Sequence, residues 1–190
     1  MPTARRLSQT LAVYSVFETA FIVRVPEAEA HVASLRNRFD ASVHLGVPAH
    51  ITVLVPFMAP DQITQSVLVQ IQAALSQVPS FHFSLSQVRR FPATAYLAPE
   101  PAEPFVALTE VLVRTFPEFP PFRGEHESIV PHLTVANGNA SEAEVAAAEL
   151  QAVVQSNGPI SSFCSSVSLL ENSSGHWREM HVFALPRQDG

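Results

Sequence analysis

The sequence predicts an α+β protein of two similar lobes, each with an antiparallel sheet flanked by helices, and with a groove between the lobes. Several short segments alternate apolar and polar residues, as half-buried strands do. Others repeat apolar residues every three or four positions, as helices do. A pattern of His, an apolar residue, Thr and an apolar residue occurs at 50–53 and again at 132–135. Such an internal repeat favours two related halves.

The first half of the chain reads as strand, helix, motif strand, helix and hairpin. Apolar alternation marks its strands, and a three-or-four-residue apolar spacing marks its helices. In order, the predicted elements are a strand at 19–25, a helix at 27–39, the motif strand at 50–57, a helix that begins at Pro60-Asp61, and hairpin strands at 81–88 and 90–97.

The second half repeats this order from a helix onward. A Ser with a Glu three residues later predicts the start of its last helix as a capping box. In order, the predicted elements are a helix at 105–115, a proline-rich loop to Pro131, the motif strand at 132–136, a helix from Ser141 to 156, and strands at 163–171 and 177–185.

The domain organisation follows from these elements. Residues 1–16 are expected to be a tail or an extra strand, and residues 17–190 a single bilobal domain. The apolar run near the N-terminus is short and is interrupted by Glu18, which argues against a signal peptide. No run has the length of a membrane-spanning helix. We therefore expect a cytoplasmic monomer with no membrane partner.

Composition narrows the possible functions. The 190 residues are 47% hydrophobic and 15% charged, so a substantial core is expected. The net charge is −6, and all eleven basic residues are arginines. Binding of long nucleic acid requires a basic surface, which this balance disfavours, although a few arginines suffice for one or two phosphates. The single cysteine, Cys164, excludes an intramolecular disulfide and a cysteine-based zinc site.

The two motifs are the candidate active site. On a strand, residues two apart share a face, so His50 lies beside Thr52 and His132 beside Thr134. Imidazole titrates near neutrality, so one ring can accept a proton while the other donates one. The threonine hydroxyls can donate hydrogen bonds to a phosphoryl oxygen between them. This chemistry suits cleavage of a phosphodiester and requires no metal or other cofactor.

The same residues resemble the paired signatures of the two-histidine phosphoesterases, which include the 2′-5′ RNA ligase-like proteins and cyclic nucleotide phosphodiesterases. The resemblance extends over about 19–185 and includes the segments HITVLVPF, VPHLTVA and GHWREMHVFAL. It implies a bilobal fold with a central active site, and hydrolysis or reversible formation of 2′,3′-cyclic or 2′-5′ phosphodiesters. It also implies His50 as the acid and His132 as the base, with the two roles exchanging when the reaction runs in the other direction. The RNA-ligase branch often has a basic residue after the second motif, where this chain has 136–138, Ala-Asn-Gly.

The expected substrate is therefore a small nucleotide or a terminal cyclic phosphate, with RNA ends as a further possibility. Arg123, or Arg89 and Arg90, can supply additional phosphate contacts, and Tyr96 or Phe57 can stack on a base. For Tyr96 the favoured interpretation is a packing residue, and for Arg89 and Arg90 it is a solvated strand end.

Other interpretations stay open at this point. The groove can bind a nucleotide phosphate without turning it over, or it can ligate RNA ends. A metal site of Glu125, His126, Glu127 and His132 is conceivable, although its spacing matches no familiar site. The remaining histidines, His82 among them, are expected on the surface or in loops.

Overall fold

The computed structural model describes residues 17–125 and 128–187, and within these residues it has one antiparallel sheet and four α-helices. The predicted tail or extra strand at 1–16 lies outside the described residues. The elements in chain order are β1 (Thr19–Arg24), α1 (Pro26–Phe39), β2 (His50–Leu54), α2 (Gln65–Leu75), β3 (Phe81–Phe91), β4 (Thr94–Glu100), α3 (Glu103–Thr115), β5 (Leu133–Asn137), α4 (Ala140–Asn157), β6 (Ile160–Cys164), β7 (Ser166–Glu171) and β8 (Arg178–Ala184).

The sheet places the two motif strands at its centre. Its order is β6-β3-β4-β5-β2-β1-β7-β8, and every neighbouring pair is antiparallel. The predicted α+β class with antiparallel pairing and flanking helices is confirmed. The two expected sheets are the four-stranded halves of one sheet, because β2 and β5 pair at Ile51 and Leu133.

The halves of the sheet are interlocked. Both contain a strand, a helix and a motif strand in the same order, as β1-α1-β2 and β4-α3-β5. Helix α1 nevertheless packs against β5 of the other half, and α3 packs against β2. Each helix therefore buries its apolar side on the motif strand of the opposite half, which ties the two halves into one core.

The core lies on one face of this sheet, here called the helical face. Ile51, Val53, Leu133 and Val135 are buried there, in one cluster with apolar side chains from all four helices. The opposite face, here called the open face, carries the residues between them along the motif strands. Burying the apolar residues on the helical face leaves the histidines and threonines of the motifs on the open face.

Several predicted boundaries differ from the structure. Helix α2 begins at Gln65, because the side chain of Thr64 caps it by accepting from the Val67 amide, while Pro60–Gln62 forms a 3₁₀ turn. Helix α4 is capped by Asn139, whose side chain accepts from the Glu142 amide, so the predicted capping box at Ser141 was wrong.

The strands near the two ends of the sheet also differ from the prediction. Strand β3 continues to Phe91, so Arg89 and Arg90 lie on β3 and the hairpin turns after them. The single strand predicted at 163–171 is two strands, β6 and β7, which pair with opposite halves of the sheet. The alternation of residues along a strand does not indicate which other strand it pairs with. The sequence therefore did not reveal the break between β6 and β7.

Candidate active site

The four motif residues occupy the middle of the open face. His50 and Thr52 lie on β2, Thr134 lies on β5, and His132 directly precedes β5. All four side chains are partly exposed. The structure therefore brings together both pairs that the sequence predicted.

The register between the motif strands sets how the two pairs meet. Ile51 lies opposite Leu133. In an antiparallel pair, continuing this register by one residue in each direction places His50 opposite Thr134 and Thr52 opposite His132. Side chains opposite one another on neighbouring strands have Cβ atoms about 4.5–5.5 Å apart. Each histidine thus faces the threonine of the other motif, which forms one patch of four polar groups.

Both imidazole rings are oriented in the same way. The Nδ1 atom of His50 lies 2.8 Å from the Pro48 carbonyl oxygen, and that of His132 lies 2.7 Å from the Val130 carbonyl oxygen. A carbonyl oxygen only accepts hydrogen bonds, so each Nδ1 must carry a proton and donate it. The Nε2 atom of each ring is then the position that accepts or releases a proton.

Helix α1 fixes the loop that leads to His50. Within this loop, an Arg36 guanidinium nitrogen donates to the Val47 carbonyl oxygen at 3.1 Å. The Ala49 amide donates to a Glu29 carboxylate oxygen at 2.6 Å. These two contacts hold the segment on either side of Pro48, whose carbonyl oxygen orients His50.

A buried ion pair anchors the same loop. Arg36 is 2% exposed and Asp40 is 5% exposed, and the Arg36 Nε atom lies 3.0 Å from an Asp40 carboxylate oxygen. The other Asp40 oxygen accepts from the Ser42 amide at 3.1 Å and from the Ser42 hydroxyl at 2.7 Å. Burying either charge without these partners would cost free energy of folding. The ion pair therefore helps to hold the loop that leads to His50.

Desolvation by the surrounding protein sets the protonation state of His50, although part of its side chain stays exposed. Desolvation lowers the pKa of His50 to about 4, against the opposing effect of the Pro48 carbonyl. The positive charges of Arg36 and His132 lower this pKa further, and Asp40 raises it. His50 is therefore neutral at pH 7 in the ligand-free protein, and its Nε2 atom is a proton acceptor.

Two aromatic rings form the wall beside His132. Phe91 meets the imidazole edge-on, with ring centroids 5.3 Å apart and an interplanar angle of 86°. Tyr96 of β4 lies opposite Thr134 of β5, and its ring centroid is 5.1 Å from that of His132. Because Tyr96 is 4% exposed, it packs against His132 and offers little surface for stacking on a base.

Phe57 and Arg123, two of the other predicted contact residues, have different surroundings. Phe57 is 4% exposed and packs in an aromatic cluster, with its ring centroid 4.9 Å from that of Phe21 and 5.2 Å from that of Phe116. Arg123 pairs with Glu18 at 3.3 Å, and both line a cleft of about 710 Å³ beside Phe57. The Phe57 ring is thus occupied by core packing, and the Arg123 guanidinium by a carboxylate.

Of the remaining candidates, His82 lies on the surface. His82 is exposed and stacks on Phe163, with ring centroids 4.5 Å apart. His126 and Glu127, half of the alternative metal site, lie outside the described residues. Within the described parts of the chain, no group of three or more His, Cys, Asp or Glu side chains is arranged to hold a metal ion. No helix in those parts is long and apolar enough to cross a membrane.

Sequence reasoning missed the Arg36–Asp40 pair and Phe91. The Arg36–Asp40 pair had a detectable signal, since a basic and an acidic residue four apart near a helix end favour an ion pair. Phe91 had no such signal, because its contact with His132 depends on the pairing of β3, β4 and β5.

Comparisons with known proteins agree with this fold. A model of the 2′-5′ RNA ligase superfamily matches residues 25–176 of the chain. No curated protein sequence matches it. E. coli LigT complexed with 3′-AMP has a TM-score of 0.57 and 15% identity, covering 88% of this chain and 97% of that chain. E. coli LigT complexed with NADP⁺ has a TM-score of 0.54 and 14% identity, covering 90% and 98%. TT0787 of Thermus thermophilus has a TM-score of 0.52 and 17% identity, covering 90% and 100%.

Proposed function

Because the chain belongs to the 2′-5′ RNA ligase superfamily, we propose that its two motifs hydrolyse a 2′,3′-cyclic or 2′-5′ phosphodiester of a small nucleotide or an RNA end. The observation that carries this proposal is the matched pair of histidines. Both Nδ1 atoms are committed to backbone carbonyls, and each ring faces the threonine of the other motif.

The proposed reaction uses the rings as a base and an acid. For a 2′,3′-cyclic phosphate, Nε2 of the neutral His50 takes a proton from water as the water oxygen attacks phosphorus. The bond from phosphorus to one ribose oxygen then breaks, and a protonated His132 gives its Nε2 proton to that oxygen. The product is a ribose phosphomonoester. Thr52 and Thr134 donate hydrogen bonds to the non-bridging oxygens, where charge develops.

This assignment reverses the roles that the family resemblance implies for the two histidines. The reason is the low pKa of His50, which makes it a proton acceptor before the substrate binds. A bound phosphate anion between the rings stabilises the protonated form of an adjacent imidazole, so it should raise the pKa of His50.

The small-nucleotide part of the proposal has support from the neighbouring structures. The LigT structures are complexes with 3′-AMP, NADP⁺ and phosphate. The net charge of −6 also disfavours long nucleic acid as the substrate of this chain.

The test is hydrolysis of adenosine 2′,3′-cyclic phosphate in the presence of a chelator. The substitutions His50→Ala and His132→Ala should each lower the rate by about 10²–10⁴-fold, the usual contribution of general acid–base catalysis. His82→Ala is the matched control, because this exposed histidine lies away from the motifs, and it should keep the wild-type rate.

Three outcomes separate the alternatives. Undiminished hydrolysis in both motif variants would refute the proposal. Binding of the cyclic nucleotide without turnover over hours would identify a binding module. Formation of a 2′-5′ linkage between RNA ends, detected by product analysis, would identify a ligase.

A further inference from the structure

A row of side chains crosses the open face from the motif strands to β3. On β3, Arg89 lies opposite Tyr96 of β4, and Tyr96 lies opposite Thr134 of β5. The register of the motif strands continues this row to His50. Neighbouring strands are about 4.8 Å apart, so the Arg89 backbone lies about 10 Å from that of Thr134. The long arginine side chain can cover part of this distance.

The side chains of Arg89 and its neighbour Arg90 lie on opposite faces of β3. Arg90 lies 3.9 Å from Glu144, which belongs to α4 on the helical face. Arg89 is exposed on the other side, and its Nη2 atom donates to the Gln87 side-chain oxygen at 2.6 Å. Since the Gln87 amide is neutral, this contact orients the guanidinium without neutralising its charge.

The Arg89 charge also acts on the wall of the site. Burial raises the pKa of the Tyr96 phenol, and the positive charge of Arg89 opposes this rise. Arg89 and Tyr96 are cross-strand neighbours, so the guanidinium can reach the ring that packs against His132.

Arg24 is the other arginine next to the motifs, but it is already paired. It lies opposite His50 on β1, and its Nη1 atom is 3.4 Å from a carboxylate oxygen of Glu179 on β8. That carboxylate oxygen also accepts from the Ser168 hydroxyl at 2.8 Å. Arg24 is thus directed away from the centre of the site, toward the far edge of the sheet.

A cleft of about 480 Å³ connects Arg89 with the segment before His132. Gln87, Arg89 and Ala98 line it from the sheet, and Val130 and Pro131 line it from the loop. The carboxylates of Glu100, Glu103 and Glu110 line it as well, so a phosphate near this cleft is favoured only beside Arg89. It provides room for part of a ligand whose reacting phosphate lies at the motifs.

We propose that Arg89, oriented by Gln87, binds a second phosphate of the substrate, so that the site prefers a 2′,3′-cyclic phosphate whose ribose also carries a 5′-phosphate group. This inference rests on the proposed function for the reacting phosphate. A guanidinium recognises a phosphate through two parallel charge-assisted hydrogen bonds, which Gln at this position cannot provide. The 5′-phosphate can belong to a mononucleotide or to the preceding linkage of an RNA end.

The experiment compares kcat/KM for adenosine 2′,3′-cyclic phosphate, its 5′-phosphorylated form, and a dinucleotide that ends in a 2′,3′-cyclic phosphate. Charged hydrogen bonds contribute enough for the wild-type protein to prefer the 5′-phosphorylated form by about 10-fold or more. This preference should fall to about 2-fold or less in Arg89→Gln, because the guanidinium that makes these bonds is absent. Arg90→Gln should keep the wild-type preference, because Arg90 faces α4. If the dinucleotide is preferred as strongly as the 5′-phosphorylated form, Arg89 accepts a linkage phosphate of an RNA end. If the dinucleotide is preferred less strongly, Arg89 favours the terminal phosphate of a mononucleotide.

Several results would overturn the inference without affecting the proposed function. One is hydrolysis by the wild-type protein with no preference for the 5′-phosphate. Another is a preference that Arg24→Gln removes and Arg89→Gln does not. If no substrate is hydrolysed, the proposed function fails, and calorimetry with adenosine 3′,5′-bisphosphate and 3′-AMP decides the inference. The inference is supported if the wild-type protein binds the bisphosphate more tightly than 3′-AMP and Arg89→Gln abolishes this difference. Equal binding of the two ligands by the wild-type protein refutes it.

Discussion

Acidification should destabilise the protein through His50. Its pKa is about 4 in the folded protein because its ring is desolvated, and in the unfolded chain it should return to the ordinary value of 6.5. Between these values the unfolded chain binds more protons than the folded protein, so folding stability must rise with pH. The contribution of neutral His50 is therefore complete above about pH 6.5 and is lost as the pH falls toward 4.

The size of the effect follows from the two pKa values. A shift from 6.5 to about 4 corresponds to about 3.4 kcal/mol once both states are fully protonated, at about 1.36 kcal/mol per pKa unit. At about pH 4.5, where the unfolded chain is protonated and the folded ring is still mostly neutral, the loss is about 2.5 kcal/mol.

Urea unfolding at about pH 7.5 and pH 4.5 measures this loss. The free energy of unfolding should fall by about 2.5 kcal/mol more in the wild-type protein than in His50→Gln, which has no titrating group at this position. Other groups titrate in both proteins and cancel in the difference. His82→Gln is the control and should behave as the wild type does. An equal loss in the wild type and His50→Gln, or an NMR titration of His50 near 6.5, would refute the argument.

Two further predictions concern buried groups. Arg36→Met leaves the buried Asp40 carboxylate without its ion pair, so it should lower the free energy of unfolding, measured with urea, by about 3–5 kcal/mol. The control Arg38→Gln removes an exposed ion pair of the same helix and should leave the free energy of unfolding nearly unchanged. Equal effects of the two substitutions would show that the buried pair has no special role. Burial raises the pKa of the Cys164 thiol to about 12, so Cys164 should not react with a thiol reagent in the native protein at pH 8 and should react fully in urea; rapid native labelling would contradict its burial.

The sequence predicted which residues of each motif strand share a face, because strand geometry is local. Side chains on a strand alternate between faces, so a buried Ile51 requires an open-face position for Thr52. The same alternation places Arg89 and Arg90 on opposite faces of β3. An irregularity of β3 between Leu85 and Gln87 shifts the alternation that its apolar residues begin, however, so the sequence could not tell which of the two arginines lies on the open face.

The additional substrate contacts were harder to predict, because they depend on distant neighbours. Phe57 has the composition of a stacking residue, but Phe21 and Phe116 enclose its ring in the core. Tyr96 lies at the site, yet the pairing of β4 with β5 presses it against His132. An aromatic side chain can serve either role, and only the identity of its neighbours decides between them.

The sequence by itself determined the α+β class, the main helices and strands, and the two polar pairs on apolar strands, since each depends on residue spacing along a single element. Only the tertiary structure decided that one continuous sheet joins the halves, that each histidine faces the other motif's threonine, and that desolvation lowers the pKa of His50. These properties arise from contacts between segments far apart in the chain. Desolvation and strand register exist only after those segments have packed together.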